Sequence, residues 1–276
     1  MPDWMQAIFG QTLVLAVGAT RIAAAFALMP LLSPETVPAL VRNSIFLCFG
    51  VIVVTLQPQL TEMALPTVQW ILVFGKEALV GVVIGFFFGT MLWAFEAAGQ
   101  IIDAKVGATM AQIVDPLSGH QTSLTGEFLA RLANFVFMFS GGLLLMVGTI
   151  LDSYALWPIG SLTPVLSLRS LSLFEGEFSR LMTIAVMLAS PALVVLFLVD
   201  AGLGLANRYA PQLNVFALGL AIKAWIATAV LVAMMTGLVQ VLLNEMGARP
   251  AVILQVLKTM ARTAGGPLPL GFSPMG

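Results

Sequence analysis

Charge-free, largely apolar runs occupy residues 4–20, 22–34, 43–61, 78–95, 132–151, 181–199 and 224–244. The runs from 78, 132, 181 and 224 approach the roughly 20 apolar residues that cross a hydrocarbon core unaided, so each predicts a membrane-spanning helix. The run from 43 turns polar at Gln57-Pro58-Gln59, and Arg21 divides the first apolar stretch. Those segments predict shorter helices, giving an all-α integral membrane protein with about six to eight hydrophobic helices.

Turn residues separate the runs. Pro30, Ser33, Pro34 and Pro38 mark a first connection and Gln57 to Pro66 a second. Residues 96–131 predict a longer connection of mixed charge, and 152–180 another, with Pro158, Gly160, Pro164, Glu175 and Glu177. Neither is long enough for a separate soluble domain, so one helical domain is predicted over 1–262. Its last element is an amphipathic helix, AVILQVLKTMAR, over 251–262. Residues 263–276 end in GGPLPLGFSPMG and predict a disordered tail.

Composition sharpens this picture. With 59% hydrophobic and 9% charged residues, the chain cannot wet the surface of a soluble globule. A net charge of -1 offers no footprint for nucleic acid, and a lone Cys48 excludes an internal disulfide or a multi-cysteine metal site. No basic residue precedes Arg21, so a cleaved signal peptide is not expected. Arg249, Lys258 and Arg262 follow the last run and argue for a cytoplasmic C-terminus.

Arg21, Lys76, Glu77 and Lys223 interrupt or border apolar sequence. A charge at the centre of a lipid-facing helix costs about 2.5–3.5 kcal/mol, so all four should face protein or water. Small residues flank them at helical spacing: Gly18, Ala24 and Ala25 around Arg21, Gly219 and Ala227 around Lys223. Glu77 is followed at four-residue steps by Gly81, Gly85 and Gly89, a ridge that predicts close helix packing within the chain or between subunits. Lys76 and Glu77 point about 100° apart on a helix, so separate partners are expected for them.

The chain lacks HExxH, paired CxxC, GxSxG, GxGxxG and GxxxxGK[ST] elements. The single histidine, His120, lies in a polar turn, LSGHQTS. Asp103 and Asp200 are the one tempting carboxylate pair for an intramembrane hydrolase, but neither has a GxGD context. The reading is non-enzymatic, with no cofactor and no metal. A polytopic small-molecule or ion transporter is the alternative: embedded charge suits it, but the chain is short and shows no inverted pair of broken helices.

Two stretches narrow the choice, GQIIDAKVGATMAQIVDPLSGHQTS at 99–123 and DAGLGLANRYAPQLNVFALGLAIK at 200–223. With the spacing of the apolar segments, they resemble the type III secretion export-gate family called SctT in injectisomes and FliR in flagella. The run IIDAKVG, the run DPLSGHQTS and SGGLLLMVGTILDSYALWP at 140–158 are more similar to the injectisome branch. The resemblance implies helices bent into hairpins within a hetero-oligomer of SctR-like and SctS-like subunits, with an SctU-like protein at the entrance. It also implies a bacterial inner-membrane location, raised toward the periplasmic side, and unfolded polypeptides as cargo. Beyond those partners only membrane lipid is expected, and no nucleic acid. By the same resemblance the family's plug falls on Gly107, Met110, Ala111, Gln112, Ile113, Val114 and Asp115, before the Asp115-Pro116 turn signal. In RYAPQLNVF, Pro211 removes a backbone donor and Asn214 is a competent N-cap, which predicts a hairpin turn. Arg208, Pro211, Gln212, Asn214 and Lys223 are accordingly candidates for subunit contact or for facing the pore.

Overall fold

A computed structural model describes residues 3–32, 37–56, 67–107, 123–160, 168–209 and 215–262. Among them lie seven α-helices and one 3-10 turn, and no strand: α1 (Asp3–Ala27), the turn Pro30–Leu32, α2 (Ala39–Leu56), α3 (Thr67–Val106), α4 (Leu124–Phe139), α5 (Gly142–Leu156), α6 (Leu168–Tyr209) and α7 (Val215–Arg262). Apolar segments fold this way because a helix satisfies its own backbone donors and acceptors where no water can. α3, α6 and α7 are long and apolar enough to cross a membrane, and the α4–α5 pair, broken at Ser140-Gly141, adds a fourth candidate. α1 and α2 contribute shorter apolar helices. The protein is an all-α integral membrane protein.

Several helices outrun their charge-free cores. α3 passes through Lys76 and Glu77 and continues to Val106, so the connection predicted from residue 96 begins at Gly107. Glu96, Gln100 and Asp103 did not break the helix because they recur at helical spacing, and the Gln100 amide donates to Glu96 Oε1 at 3.2 Å. Gly107 ends α3 with φ +93°, a left-handed conformation that glycine adopts freely, and its amide donates to the Asp103 carbonyl at 3.1 Å. The same connection closes at Ser123, the N-cap of α4, whose hydroxyl accepts from Gly126 N at 2.9 Å. α6 starts at Leu168, well inside the predicted 152–180 connection. α7 runs unbroken through Pro250, so the separate tail helix predicted over 251–262 is the end of the last long helix. Arg249, read from sequence as a cation of the tail after the last apolar run, is a buried residue of that helix.

The chain divides into two compact units, one drawn from Met1–Phe87, Leu144–Gly176 and Arg249–Gly276, the other from Phe88–Leu143 and Glu177–Ala248. In the first, glycines set the helix spacing. A Cβ on Gly18 would come within 3.2 Å of the Gly50 carbonyl oxygen, which brings α1 and α2 nearly backbone to backbone. A Cβ on Gly81 would overlap the Arg21 carbonyl, and one on Gly85 the Ala25 carbonyl. The Phe26 ring packs tilted against Phe46 at 5.9 Å, and Phe87 meets Phe174 edge-on at 5.5 Å. In the second unit, Gly99 of α3 leaves room for the Gly126 backbone of α4, and Phe88 meets Phe137 edge-on at 6.1 Å.

Candidate functional site

The first unit closes around a charged centre. α1 supplies Arg21, α3 supplies Lys76 and Glu77, and α5 with its following turn supplies Ser153, Tyr154, Trp157, Pro158 and Ile159. The Arg21 guanidinium grips the Glu77 carboxylate with both arms, Nε donating to Oε2 at 2.7 Å and Nη2 to Oε1 at 3.0 Å. Its Nη1 donates to Ser153 Oγ at 2.8 Å and its Nη2 also to the Trp157 carbonyl at 3.0 Å. The Tyr154 ring lies 3.8 Å from the guanidinium carbon, a cation–π contact, and its hydroxyl donates to the Gly18 carbonyl at 3.0 Å.

Lys76 completes the centre. Its ammonium reaches Glu77 Oε1 at 2.7 Å and donates to the carbonyls of Pro158 at 2.8 Å and Ile159 at 3.0 Å, one acceptor for each hydrogen. The expectation that Lys76 and Glu77 would not pair is therefore corrected. The Cα vectors diverge, but the long lysine stem lets the ammonium return to its neighbour's carboxylate inside the helix bundle. Arg21 and Glu77 are 0% exposed and Lys76 2%. Two cations share one carboxylate, and the excess charge is met by carbonyls at the C-terminal end of α5, where a helix favours positive charge. Such an arrangement can fix three segments rigidly; it offers no open position for a substrate.

The second unit carries looser polar groups. Asp103, buried in the last turn of α3, accepts from Ser123 Oγ at 2.6 Å and Thr125 N at 2.8 Å on Oδ2, and from the Thr125 hydroxyl on Oδ1. This clasp ties the end of α3 to the start of α4. Asp200 of α6 pairs with Lys105 of α3 at 2.7 Å and with Lys223 of α7 at 3.1 Å, with 33% of its side chain exposed. Arg180 of α6 forms a two-armed bridge to Glu245 of α7, both bonds 3.0 Å. Deeper in, Thr90 Oγ1 donates to the buried Glu177 at 2.9 Å.

The carboxylates weighed as a hydrolytic dyad thus have separate partners, Asp103 two hydroxyls and an amide, Asp200 two lysines. Glu77 lies in the buried centre; Gly81 and Gly85 of α3 pack against the α1 backbone, and Gly89 is buried in α3. Lys223 has a partner in its own chain, and Arg208 is exposed in the last turn of α6. Gly107 caps α3, where a Cβ would fall 2.9 Å from Leu220 Cδ2. Met110, Ala111, Gln112, Ile113, Val114, Asp115, His120, Pro211, Gln212 and Asn214 lie outside the described residues. Sequence reasoning missed Ser153, Tyr154, Ser123 and Thr125. Hydroxyls within or just before an apolar helix were the available signal, since such groups need a partner once buried.

Comparison with known proteins adds an independent line. Residues 12–248 match the family described as "Bacterial export proteins, family 1". The chain is 35% identical to the "Yop proteins translocation protein T" of Yersinia pestis, over 77% of this chain and 82% of that protein. It is 35% identical to the "Surface presentation of antigens protein SpaR" of Salmonella typhimurium, over 78% and 80% respectively. The "Flagellar biosynthetic protein FliR" of Bacillus subtilis is 30% identical over 81% of this chain and 86% of its own.

Proposed function

The chain belongs to the bacterial export proteins, family 1, and from that membership we propose that it is a core subunit of a type III secretion export apparatus. The observation that carries the reading is the match across most of the chain to relatives named for translocation, surface presentation of antigens and flagellar biosynthesis, with higher identity to the Yersinia translocation protein and the Salmonella SpaR protein than to the Bacillus flagellar one. These favour the injectisome branch and a structural, non-enzymatic subunit over a self-contained transporter.

In this reading the subunit sits in the bacterial inner membrane with SctR-like, SctS-like and SctU-like proteins, raised toward the periplasmic side in the assembly. It lends part of the wall and the plug to a channel for unfolded polypeptides. Gly107 and residues 110–115 form the plug. Such a channel must be shut to ions at rest, and an apolar constriction that excludes water does so at low cost. Glycine and unbranched methionine give the segment a deformable contact. The clasp of Asp103 on Ser123 and Thr125 supports this role, because it pins both flanks of the segment to one point. Arg208, Pro211, Gln212, Asn214 and Lys223 contribute polar contacts to neighbouring subunits or to the pore.

Native mass spectrometry of the chain coexpressed with its genomic neighbours tests the assignment. A complex holding this chain with two other small membrane proteins in unequal copy number is expected. Solute transport by the purified chain alone in liposomes, with no such complex, would replace this reading with the transporter.

A further inference from the structure

The last turn of α3 is held from two sides. Asp103 reaches the start of α4, and Lys105, two residues and about 200° further round the helix, reaches α6. The first hold is closed by two hydroxyls and an amide; the second is built from shared charge. Lys105 Nζ sits 2.7 Å from Asp200 Oδ2 and 5.9 Å from the centre of the Phe197 ring, one turn earlier on α6. Lys223 of α7 takes the other carboxylate oxygen, Oδ1, at 3.1 Å. Gly107 lies against Leu220, one turn before Lys223, so the end of α3 also abuts α7.

The two lysines on this carboxylate are not equivalent. Lys105 stands in the last turn of its helix with 34% of its side chain exposed. Lys223 stands in the interior of α7, which runs from Val215 to Arg262, with 17% exposed. One carboxylate balances one positive charge, so each lysine weakens the other's hold by repulsion. A partly exposed ion pair is, in addition, weak enough to part and re-form. When Lys105 leaves, its ammonium enters water and Asp200 keeps a partner, so neither charge is stranded. With a single lysine the same movement would leave the carboxylate bare.

We propose that Asp200 is an exchange latch for the end of α3. It holds Lys105 and Lys223 together while the export channel is shut, and keeps Lys223 alone when the end of α3 moves away on opening. Lys105 favours the shut state and Lys223 eases release from it. Lys223 remains throughout in the polar set assigned to the pore or to a neighbouring subunit. The inference rests on the reading that this chain lends a plug to an export channel, because α3 leads directly into that segment.

Lys105→Met and Lys223→Met each keep the stem and remove the charge, and a purely structural ion-pair network would loosen in both. Amide exchange in the full chain purified in detergent reads the end of α3 through Gly107, whose amide donates to the Asp103 carbonyl. Lys105→Met should speed that exchange by up to about 5-fold, the weight of a partly exposed ion pair. Lys105→Arg should restore it, and Lys223→Met should leave it no faster than wild type. Unchanged exchange in Lys105→Met, or faster exchange in Lys223→Met, would overturn the proposal. In cells that coexpress the whole apparatus, Lys105→Met should raise the resting ion leak while Lys223→Met stays tight, with copurification confirming assembly of each. Deletion of the plug residues in the same cells separates the two claims. A leaky deletion beside a tight Lys105→Met complex overturns the latch alone; a tight deletion overturns the plug, and the latch with it.

Discussion

The two units solve the problem of charge in an apolar protein in opposite ways. In the first, Arg21, Lys76 and Glu77 are sealed from solvent, and each donor is spent on a carboxylate, a hydroxyl or a carbonyl. In the second, Asp200 with its two lysines, and Arg180 with Glu245, are partly open, with 15% to 46% of each side chain exposed. Breaking a sealed centre strands a charge in low dielectric, whereas an open pair exchanges its partner for water or a headgroup. The number of charged residues in an apolar run therefore says little; the completeness of their partners decides what each is worth.

The sharpest break in that contrast is Glu77→Gln, which removes the carboxylate that two buried cations share. A loss of about 3–5 kcal/mol is expected, enough to abolish most folded protein in the membrane. Folded yield and melting temperature in detergent measure it, and wild-type values would mean the centre is not closed. Gly85→Leu should come next. Its side chain must displace the α1 backbone at Ala25, so overpacking should cost about 1–3 kcal/mol or more. Because that contact is within the chain, the loss should appear in the isolated subunit and not only on assembly. Gly237→Ala is its control: with open space around it and better helix propensity, it should be neutral or stabilising by up to about 1 kcal/mol.

Asp103→Asn probes an intermediate case. The amide would face two donors of Thr125 and the Ser123 hydroxyl, at an expected cost of about 1–3 kcal/mol, visible as faster hydrogen exchange at the start of α4. Unchanged exchange at Thr125 and Gly126 would show that the clasp is dispensable. Lys223→Met should have the smallest effect, about 0–1 kcal/mol in detergent. Asp200 keeps Lys105, and its partial exposure screens the pair. A cost as large as that of Glu77→Gln would erase the distinction between the units.

Much of this arrangement was legible in the chain. The apolar runs located the helices, and Arg21, Lys76 and Glu77 stood out as charges that had to face protein. Their partners did not, because Arg21 meets Glu77 across 56 residues and Ser153 across 132, separations that no local pattern encodes. Helix lengths were underestimated where a charge was taken as an end. Asp103 and Lys105 belong to the last turn of α3, and Arg249 and Pro250 to the interior of α7, because tertiary partners and burial accommodate residues that would interrupt an isolated helix. The glycine ridge was visible as a packing face, but whether it met its own chain or another depended on the placement of α1.

The central functional proposal is that Gly107 and residues 110–115, with Asp103 on one flank joined to Ser123 and Thr125 on the other, close an export channel. Ion and dye leakage in cells that coexpress the whole export apparatus, with these residues deleted from this subunit, tests it most directly. The deletion touches none of the described helices, so the subunit should still insert and assemble, which copurification of the complex checks in the same cells. The account predicts an assembled complex and a membrane leaky to small ions. An assembled complex that stays as tight as wild type would contradict it and leave the segment an ordinary connection between α3 and α4.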